Sequence, residues 1–395
     1  MTRMLAREVV IVEGCRTPQG RRNGGLSSVH PANLLGASLK GVVARSGVVP
    51  ELVEQVVGGC ISQSGAQSFN ITRTAWLSVG LPISVPATTV DSQCGSSQQA
   101  AGLAASLIGS GVIDIAIACG VENMSMVPIG AATAAGPGRA LTRSYFDRYE
   151  YISQFEAAER MADKWGLTRL ECDELGYESQ RRASRAWLEG RFEREVIPVD
   201  VPSPGDDGKP TGQSHSVSRD EGLRETSLES LANLKPVARE NGVHTAGNSS
   251  QIADQSSAVL LASADRAREL GLQARARVVD HCLVGVDPVQ MLTGPIGVTH
   301  RLLERNHLTL ADIDVIEINE AFASVVLAWA RECKPDMSRV NPNGGAISIG
   351  HALGSTGTRL ITTALHELER TDGEWALVTM CCGGGLGTGT LLQRI

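Results

Sequence analysis

The sequence predicts an α/β fold built from two similar halves. Short apolar segments typical of strands alternate with longer stretches typical of helices, which indicates mixed or parallel sheets covered by helices. Four segments near the start of the chain also resemble four near its end, in the same order and with similar spacing, which predicts a duplicated unit. The pairs are residues 7–13 and 275–280, 52–58 and 312–318, 90–96 and 340–346, and 115–120 and 377–383.

The length of the chain and one polar segment predict its domain organisation. At 395 residues the chain exceeds one simple core, so two or three domains are expected. The polar, Arg- and Glu-rich middle segment carries two amphipathic helix patterns, and we interpret it as a loop domain inserted over the duplicated core, where insertions usually shape a binding site. The expected parts are an N-terminal half at 1–122 with 251–273, the loop domain at 123–250, and a C-terminal half at 274–395.

The composition excludes several classes of protein. A net charge of −7 argues against a general nucleic-acid-binding protein, although an anionic small ligand needs only a local basic patch. The N-terminus has no long apolar stretch of a secretory signal, and no segment reads as a membrane span. The nine cysteines lack paired CxxC motifs, so we expect reduced thiols, no metal site and a cytoplasmic location.

Cys94 is the first candidate functional residue. It follows the β-prone run 87–90, and the chain from Ser92 to Ile113 carries no charge, which is typical of a helix buried on all sides. We therefore expect Cys94 to be the first residue of that helix, where free N–H groups and partial positive charge would lower its pKa and make it a nucleophile. The alternative is a structural cysteine, since most free cysteines are small core residues.

Other polar residues stand at comparable places in the pattern. Asn319 follows a predicted strand, His351 ends a Gly-rich segment, and Cys381 and Gly383 stand at the end of another strand. Such positions are where α/β sheets place ligand sites, so these residues and Cys94 could converge on one pocket. Each has a structural alternative when taken alone, namely a satisfied core histidine, a strand-end cap or a tight turn.

These motifs resemble the thiolase family over nearly the whole chain. CGSSQQA beginning at Cys94, NEAFA at Asn319, GGAISIGH ending at His351, and CxGGG at Cys381 occur in the family's order. The resemblance implies two mixed-sheet halves in a layered α-β-α-β-α core with an inserted loop domain. It also implies thiolytic cleavage of 3-oxoacyl-CoA by CoA, or the reverse Claisen condensation, with CoA thioesters as substrates and no permanently bound cofactor. Family members form homodimers or homotetramers.

The resemblance also assigns catalytic roles. Cys94 would accept the acyl group, and His351 would take its proton and then help to bind a thioester oxygen. Cys381 would protonate or deprotonate the α-carbon or the incoming thiol. Asn319 would hold a water that forms one oxyanion hole with His351, and the backbone N–H groups of Cys94 and Gly383 would form the second.

The residues expected to contact CoA carry a weaker signal. Ser250 matches a family serine near the pantetheine arm, and Arg224 lies close to a family arginine near the nucleotide. The alternative for Arg224 is a solvated surface arginine, which would give the same sequence pattern. Phe322, Met291 and Ala321 are expected to line the acyl or pantetheine pocket, and the alternative is that they belong to the core.

The chain departs from the family pattern at several positions. Ala352 replaces the proline of the usual Gly-His-Pro, which frees the backbone around His351. Gln255 stands in place of a glycine, so we expect a turn there to differ. Ser153-Gln154 replaces the His-Met of short-chain biosynthetic members, which favours degradative thiolases that take longer or bulkier acyl groups, including sterol side chains.

Two alternative functions remain open from the sequence. A decarboxylating ketoacyl synthase shares the duplicated fold, but such enzymes use one cysteine with two histidines, or with histidine and asparagine. A thiolase-like CoA or acyl-CoA binding protein with little turnover is the second alternative, and Ala352 and Gln255 are the residues that keep it open.

Overall fold

The computed structural model of the chain describes residues 7–134, 136–204 and 210–395. The strands are β1 (Val9–Arg16), β2 (Gly20–Arg21), β3 (Gln55–Gly59), β4 (Ala87–Val90), β5 (Ile115–Asn123), β6 (Val199–Pro204), β7 (Pro210–Val217), β8 (Ala253–Ser263), β9 (Ala276–Gly285), β10 (Val315–Ile318), β11 (Trp375–Cys382) and β12 (Leu386–Arg394). The helices are α1 (Pro31–Ser46), α2 (Ile71–Ser78), α3 (Ser96–Gly109), α4 (Ala131–Ala134), α5 (Arg143–Phe146), α6 (Gln154–Trp165), α7 (Arg169–Leu188), α8 (Leu228–Ala232), α9 (Ala264–Glu269), α10 (Gly294–Asn306), α11 (Ala323–Cys333) and α12 (Thr356–Thr371).

The strand order confirms the duplicated mixed sheet. The first half runs β4-β3-β5-β8-β1 and the second runs β10-β11-β12-β9, with β1 joined to β9 by a short antiparallel pairing. In the first half β3 and β5 pair in parallel, and β8 and β1 then follow with antiparallel pairing. In the second half β10 and β11 pair in parallel, and β12 and β9 follow with antiparallel pairing. Val340 forms a parallel bridge beside Ile316, where β4 lies beside β3 in the first half. The order of pairing therefore repeats element by element.

The predicted layers are confirmed by the positions of the helices. The helices α3 and α12 contact each other and strands of both halves, so they form the central layer. On the outer faces, α1 covers the first half together with α2, and α10 covers the second. The two central helices approach closely because small residues meet, and a Cβ on Gly357 would lie 2.2 Å from the backbone nitrogen of Gln98.

The middle segment contributes helices over one side of the core. The amphipathic patterns expected there are α6 and α7, and α7 begins with a capping box formed by Thr168 and Glu171. Both helices pack against α11 of the second half, so the segment covers the strand ends that carry the candidate residues. The domain boundaries stay a prediction. Among the helices of the described residues, none is long and apolar enough to cross a membrane.

Candidate active site

Cys94 lies in a turn between β4 and α3, not at the first position of the helix. The expectation that it begins the helix is wrong, because α3 starts at Ser96 with Gly95 as its N-cap. The Ser96 hydroxyl donates to the Gln93 carbonyl at 2.6 Å and accepts from the Ser92 backbone N–H at 2.9 Å. These two hydrogen bonds hold the turn that presents the Cys94 side chain ahead of the helix.

Burial and hydrogen bonding act in opposite directions on the Cys94 thiol. Burial raises the pKa of Cys94 to about 11, while hydrogen bonds from the backbone N–H groups of Gly383 and Cys94 lower that pKa, and the charges of Glu122 and Asp91 raise it. The expected net lowering by the helix terminus is therefore wrong for the free protein. The side chain is a neutral thiol at pH 7, and it needs a base when it reacts.

His351 is a neutral imidazole in a buried hydrogen-bonded chain. Its Nδ1 lies 2.7 Å from Thr356 Oγ1, and that hydroxyl lies 2.8 Å from the Ala352 carbonyl, to which it donates. The imidazole therefore donates through Nδ1–H and keeps an acceptor at Nε2. Burial, with a smaller contribution from the charge of Arg359, lowers the pKa of His351 to about 3.

Asn319 contacts the acceptor side of that imidazole. Its Nδ2 lies 3.3 Å from His351 Nε2, and its backbone N–H donates to the Thr379 carbonyl at 3.0 Å. Its Oδ1 is buried and has no hydrogen-bond partner among the described residues. An unpaired buried acceptor beside an imidazole nitrogen fits the site of a water or a ligand donor.

The two adjacent cysteines at the end of β11 face opposite sides of the sheet. Cys381 packs with Phe322 and Met291 in one apolar cluster, whereas Cys382 packs under α3, where a Cβ on Gly95 would lie 2.7 Å from its sulfur. This separation follows from the two-residue period of a strand. Burial, together with the nearby Cys94 and Cys382, raises the pKa of Cys381 well above its ordinary value, so Cys381 is a protonated thiol.

The central helices hold together the two loops that carry Cys94 and His351. The backbone N–H of Thr358 at the start of α12 donates to the Ser97 hydroxyl at the start of α3, at 3.0 Å. Cys94 precedes α3 and His351 precedes α12, so both loops lie at the same end of the core. The structure therefore joins Cys94 with Gly383 and Cys381, and joins Asn319 with His351.

A cavity of about 550 Å³ lies beside these loops. It is lined by both residues expected to contact the pantetheine arm and nucleotide of CoA, Ser250 and Arg224. The Ser250 backbone N–H donates to the Ala321 carbonyl at 3.0 Å, and the Gln251 carbonyl accepts from the backbone N–H of His351 at 2.9 Å. Direct hydrogen bonds thus connect the wall of the cavity to the segments that carry the candidate residues.

Arg21 and Arg22 also line this cavity, and the sequence analysis missed them. Both are exposed, and together with Arg224 they outnumber the single carboxylate of Glu221 in the lining. The signal that could have found them is an adjacent basic pair in a chain of net negative charge. Three guanidinium groups around one cavity can bind a polyanionic ligand.

Phe322, Met291 and Ala321 lie elsewhere, in the apolar cluster that includes Cys381. The Phe322 ring packs edge-to-face against Phe155 of α6 at 5.4 Å between ring centres. They are buried beside a candidate catalytic sulfur, and they are not among the residues that line the 550 Å³ cavity.

Two glutamines outside the expected set cover the Gly383 turn. A Cβ on Gly383 would lie 2.9 Å from Gln154 Nε2 and 3.2 Å from Gln93 Oε1. Gln154 is the first residue of α6. The inserted segment therefore brings a side-chain amide close to Gly383, whose backbone N–H acts on the Cys94 thiol. The sequence marked Gln154 only as a departure from a family pattern.

Gln255 does not alter a turn, contrary to expectation, because it lies within β8. Its Nε2 donates to the Thr17 carbonyl at 3.2 Å, and its Oε1 accepts from the Ser355 hydroxyl at 3.3 Å. In residues 7–134, 136–204 and 210–395 no group of three His, Cys, Asp or Glu side chains is arranged to hold a metal ion.

Comparisons with known proteins agree along the whole chain. Family models for the thiolase N-terminal and C-terminal domains match residues 9–265 and 272–394. The chain is 43% identical to the steroid 3-ketoacyl-CoA thiolase FadA6 of Mycobacterium tuberculosis, over 98% of this chain and 94% of that protein. It is 40% identical to a β-ketoadipyl-CoA thiolase of Pseudomonas knackmussii, over 99% of this chain and all of that protein.

Solved structures give the same result. The Bacillus anthracis acetyl-CoA acetyltransferase superposes with a TM-score of 0.90 at 34% identity and covers all of both chains. Human mitochondrial 3-ketoacyl-CoA thiolase superposes with a TM-score of 0.88 at 32% identity and covers 99% of both.

Proposed function

The chain belongs to the thiolase family, and we propose that it cleaves 3-oxoacyl-CoA with free CoA, passing the acyl group through Cys94. The observation that carries the proposal is the buried Cys94 sulfur, whose thiolate form the backbone N–H groups of Gly383 and Cys94 favour and which lies beside the protonated thiol of Cys381. A nucleophile, a proton donor and an oxyanion-binding pair in one buried place are the groups that acyl transfer requires.

In the first step the Cys94 sulfur attacks the C3 carbonyl carbon of the substrate, and its proton passes to His351 Nε2. The resulting oxyanion is bound by the N–H groups of Cys94 and Gly383. The C2–C3 bond then breaks, and its electron pair forms the enolate of acetyl-CoA, whose oxygen is bound near His351 and Asn319. Cys381 gives its proton to C2, and acetyl-CoA leaves while the shortened acyl group stays on Cys94.

In the second step free CoA accepts the acyl group. The Cys381 thiolate left by the first step takes the proton of the CoA thiol, and the CoA sulfur attacks the acyl carbon on Cys94. The C–S bond to Cys94 breaks, and the thiolate regains its proton from His351. Acids, bases and sulfurs thus return to their starting states.

The protonation states in the free protein support these roles. A base must begin neutral, and the lowered pKa of His351 keeps its Nε2 free of a proton at pH 7. A proton donor must begin protonated, and the raised pKa of Cys381 keeps its thiol intact. Both shifts arise mainly from burial, which disfavours the charged form of each group.

The 550 Å³ cavity is the proposed CoA site. Its volume and its link to His351 through Gln251 suit a pantetheine arm entering beside Ser250, and the guanidinium groups of Arg21, Arg22 and Arg224 in its lining can bind phosphates. We further propose a homodimer or homotetramer that acts in the cytoplasm. The nine cysteines, all unpaired, support a reducing compartment.

The acyl group is proposed to be longer or bulkier than acetoacetyl. FadA6 is named for steroid 3-ketoacyl-CoA and the Pseudomonas protein for β-ketoadipyl-CoA. Gln154, which lies next to Gly383, supplies an amide near the reacting carbon, where the sequence departs from short-chain members.

Thiolysis tests the function directly. The protein is mixed with free CoA and either acetoacetyl-CoA or a branched or longer 3-oxoacyl-CoA, and loss of the 3-oxo thioester is followed, with Cys94→Ala as control. We expect turnover that vanishes in the variant and favours the larger substrate. Binding of CoA without turnover of any substrate would instead favour the binding-protein alternative.

A further inference from the structure

The side-chain amide of Gln19 brackets the loop that carries His351. Its Nε2 donates to the Gly350 carbonyl at 2.6 Å, and its Oε1 accepts from the Ala352 backbone N–H at 3.4 Å. The two backbone groups belong to the peptide units on either side of His351. Gln19 is fully buried, so its side chain serves the interior of the protein.

An amide is the one side-chain group that satisfies both partners. The Gly350 carbonyl can only accept and the Ala352 N–H can only donate, so the bracket needs a donor and an acceptor on the same planar group. A carboxylate of equal length would offer two acceptors and would face the Gly350 oxygen with like charge. An apolar side chain would leave both buried backbone groups unpaired.

The rest of Gln19 is anchored independently of the loop. Its backbone N–H donates to Asp220 Oδ1 at 2.7 Å, and its carbonyl accepts from the Glu221 N–H at 2.9 Å. The Asp220 carboxylate is in turn held by both terminal nitrogens of the buried Arg16 guanidinium. The bracket is therefore a rigid support that follows directly after β1.

The histidine loop needs such a support. Gly350 has a φ of +113°, which glycine adopts freely, so its own backbone does little to restrict the loop and surrounding contacts must fix it. The residue after His351 is Ala352, whose N–H is the atom that the family's usual proline would lack. A proline ring fixes the backbone covalently, whereas here a hydrogen bond to Gln19 takes its place.

We propose that Gln19 is a positioning residue for His351, holding the imidazole in its contact with Asn319 through the Gly350 carbonyl and the Ala352 N–H. The proposal rests on the proposed function, because it concerns the base of that reaction. Gln19 and Ala352 act as a pair that replaces the constraint of a proline.

A double-mutant cycle tests the pairing. Gln19→Met is expected to lower kcat for thiolysis about tenfold while KM for CoA stays within about twofold, because orientation of the base is lost and not substrate binding. Ala352→Pro alone is expected to lower kcat as well, since the ring meets Gln19 Oε1. In the double variant the apolar methionine packs on the ring, so kcat is expected to exceed that of either single variant. A double variant whose loss equals the product of the two single losses would overturn the proposal.

A second readout does not depend on turnover. In protein labelled with ¹⁵N-histidine, the His351 signal is expected to show the Nδ1–H form in the native chain and to shift in Gln19→Met. The matched control is Asn123→Leu, which removes another fully buried amide, one that donates to the Leu26 and Val29 carbonyls. The control is expected to lose stability without moving the His351 signal.

If Gln19→Met leaves both kcat and the signal unchanged, or if the control moves the signal equally, the positioning role is wrong. Absence of turnover in the native protein would refute the proposed function, and the NMR comparison would still decide the role of Gln19.

Discussion

Cys94 shows how two effects that act on a single residue can oppose each other. Its position near a helix start predicts a lowered pKa, but burial of the enclosed sulfur raises the pKa of Cys94 to about 11. The sequence marks the residue as a candidate, which stays a prediction, but it misjudges the ionisation of the thiol, because burial depends on the other half of the chain. Only the fold brings Gly383 and Cys381 to the sulfur.

The pH dependence of Cys94 alkylation follows from this balance. The rate with iodoacetamide, measured on the Cys94 peptide by mass spectrometry, is expected to rise about tenfold per pH unit from pH 7 to pH 9, since only the thiolate reacts. Cys333, which is half-buried, provides an internal comparison. A rate that levels off below pH 8 would instead indicate a thiolate already paired with a protonated His351.

His351 couples protonation to stability. Its pKa of about 3 in the folded protein lies below the ordinary value of 6.5. The contribution of His351 to the free energy of unfolding is therefore fully present above about pH 6.5 and is lost as the pH falls toward 3. In His351→Gln the slope of unfolding free energy against pH is expected to decrease by about 1.4 kcal/mol per pH unit between pH 4 and 6. Urea unfolding at several pH values measures it. His366, also buried with a pKa lowered to about 3, keeps its own contribution, and an unchanged slope would show that His351 is not buried as a neutral base.

At the scale of elements, the turn between β11 and β12 requires glycine more strictly at Gly385 than at Gly383. Gly385 has a φ of +81°, and a Cβ there would lie 2.7 Å from the Val286 carbonyl oxygen, whereas Gly383 would meet only the ends of the Gln154 and Gln93 side chains. Gly385→Ala is therefore expected to destabilise the protein by about 2 kcal/mol. Gly383→Ala is expected to change stability by less than about 0.5 kcal/mol. Thermal unfolding of both variants decides the order, and equal losses would contradict this assignment of the turn.

The basic lining of the proposed CoA cavity gives a second prediction at this scale. Arg21→Ala and Arg22→Ala are each expected to raise KM for CoA about tenfold, the loss of one charge-assisted phosphate contact. KM for pantetheine, a thiol without phosphates, is expected to stay constant. Arg268→Ala, which removes an exposed arginine paired with Asp265, is the matched control. Equal effects on CoA and pantetheine would show that these arginines act on the fold and not on phosphate.

Elements with a strong local pattern were predictable from the sequence, and long-range contacts were not. The uncharged stretch after Cys94 predicted α3 as a buried helix, and the amphipathic patterns predicted α6 and α7. Arg21 and Gln19, by contrast, follow β1 and meet segments more than 200 residues away. No local period signals such a meeting.

At the scale of the whole molecule, duplication explains how one site draws on distant segments. The segment after β4 in one half is equivalent to the segment near Val340 in the other, and the equivalent helices α3 and α12 contact each other at the centre of the layers. The repeated pattern was visible in the sequence because strands of both halves keep similar residues. The joining of β1 to β9 was not, since it involves only two residue pairs.

The exposed surface near the edge strand β4 supports assembly. Phe69 and Ile83 are 93% and 82% exposed, and hydrogen bonds from Asn70 to Ala87 and from Arg73 to Ile83 link their two segments at this edge, so together they are a candidate apolar contact surface. Light scattering is expected to give a multiple of the 41.7 kDa chain mass, and Phe69→Asp is expected to lower it. Leu188→Asp, at an exposed leucine that ends α7 in the middle segment, is the control. A native protein of single-chain mass would contradict the proposed oligomer.

The central claim is that the acyl group passes through Cys94, and the most direct measurement is the mass of the enzyme intermediate. The protein is mixed with a 3-oxoacyl-CoA without free CoA, quenched in acid and digested for mass spectrometry. We expect the shortened acyl group on the Cys94 peptide, release of acetyl-CoA in equal amount, and neither product with Cys94→Ala. Acetyl-CoA release that persists in Cys94→Ala, or an acyl group found on Cys381 instead, would contradict the account.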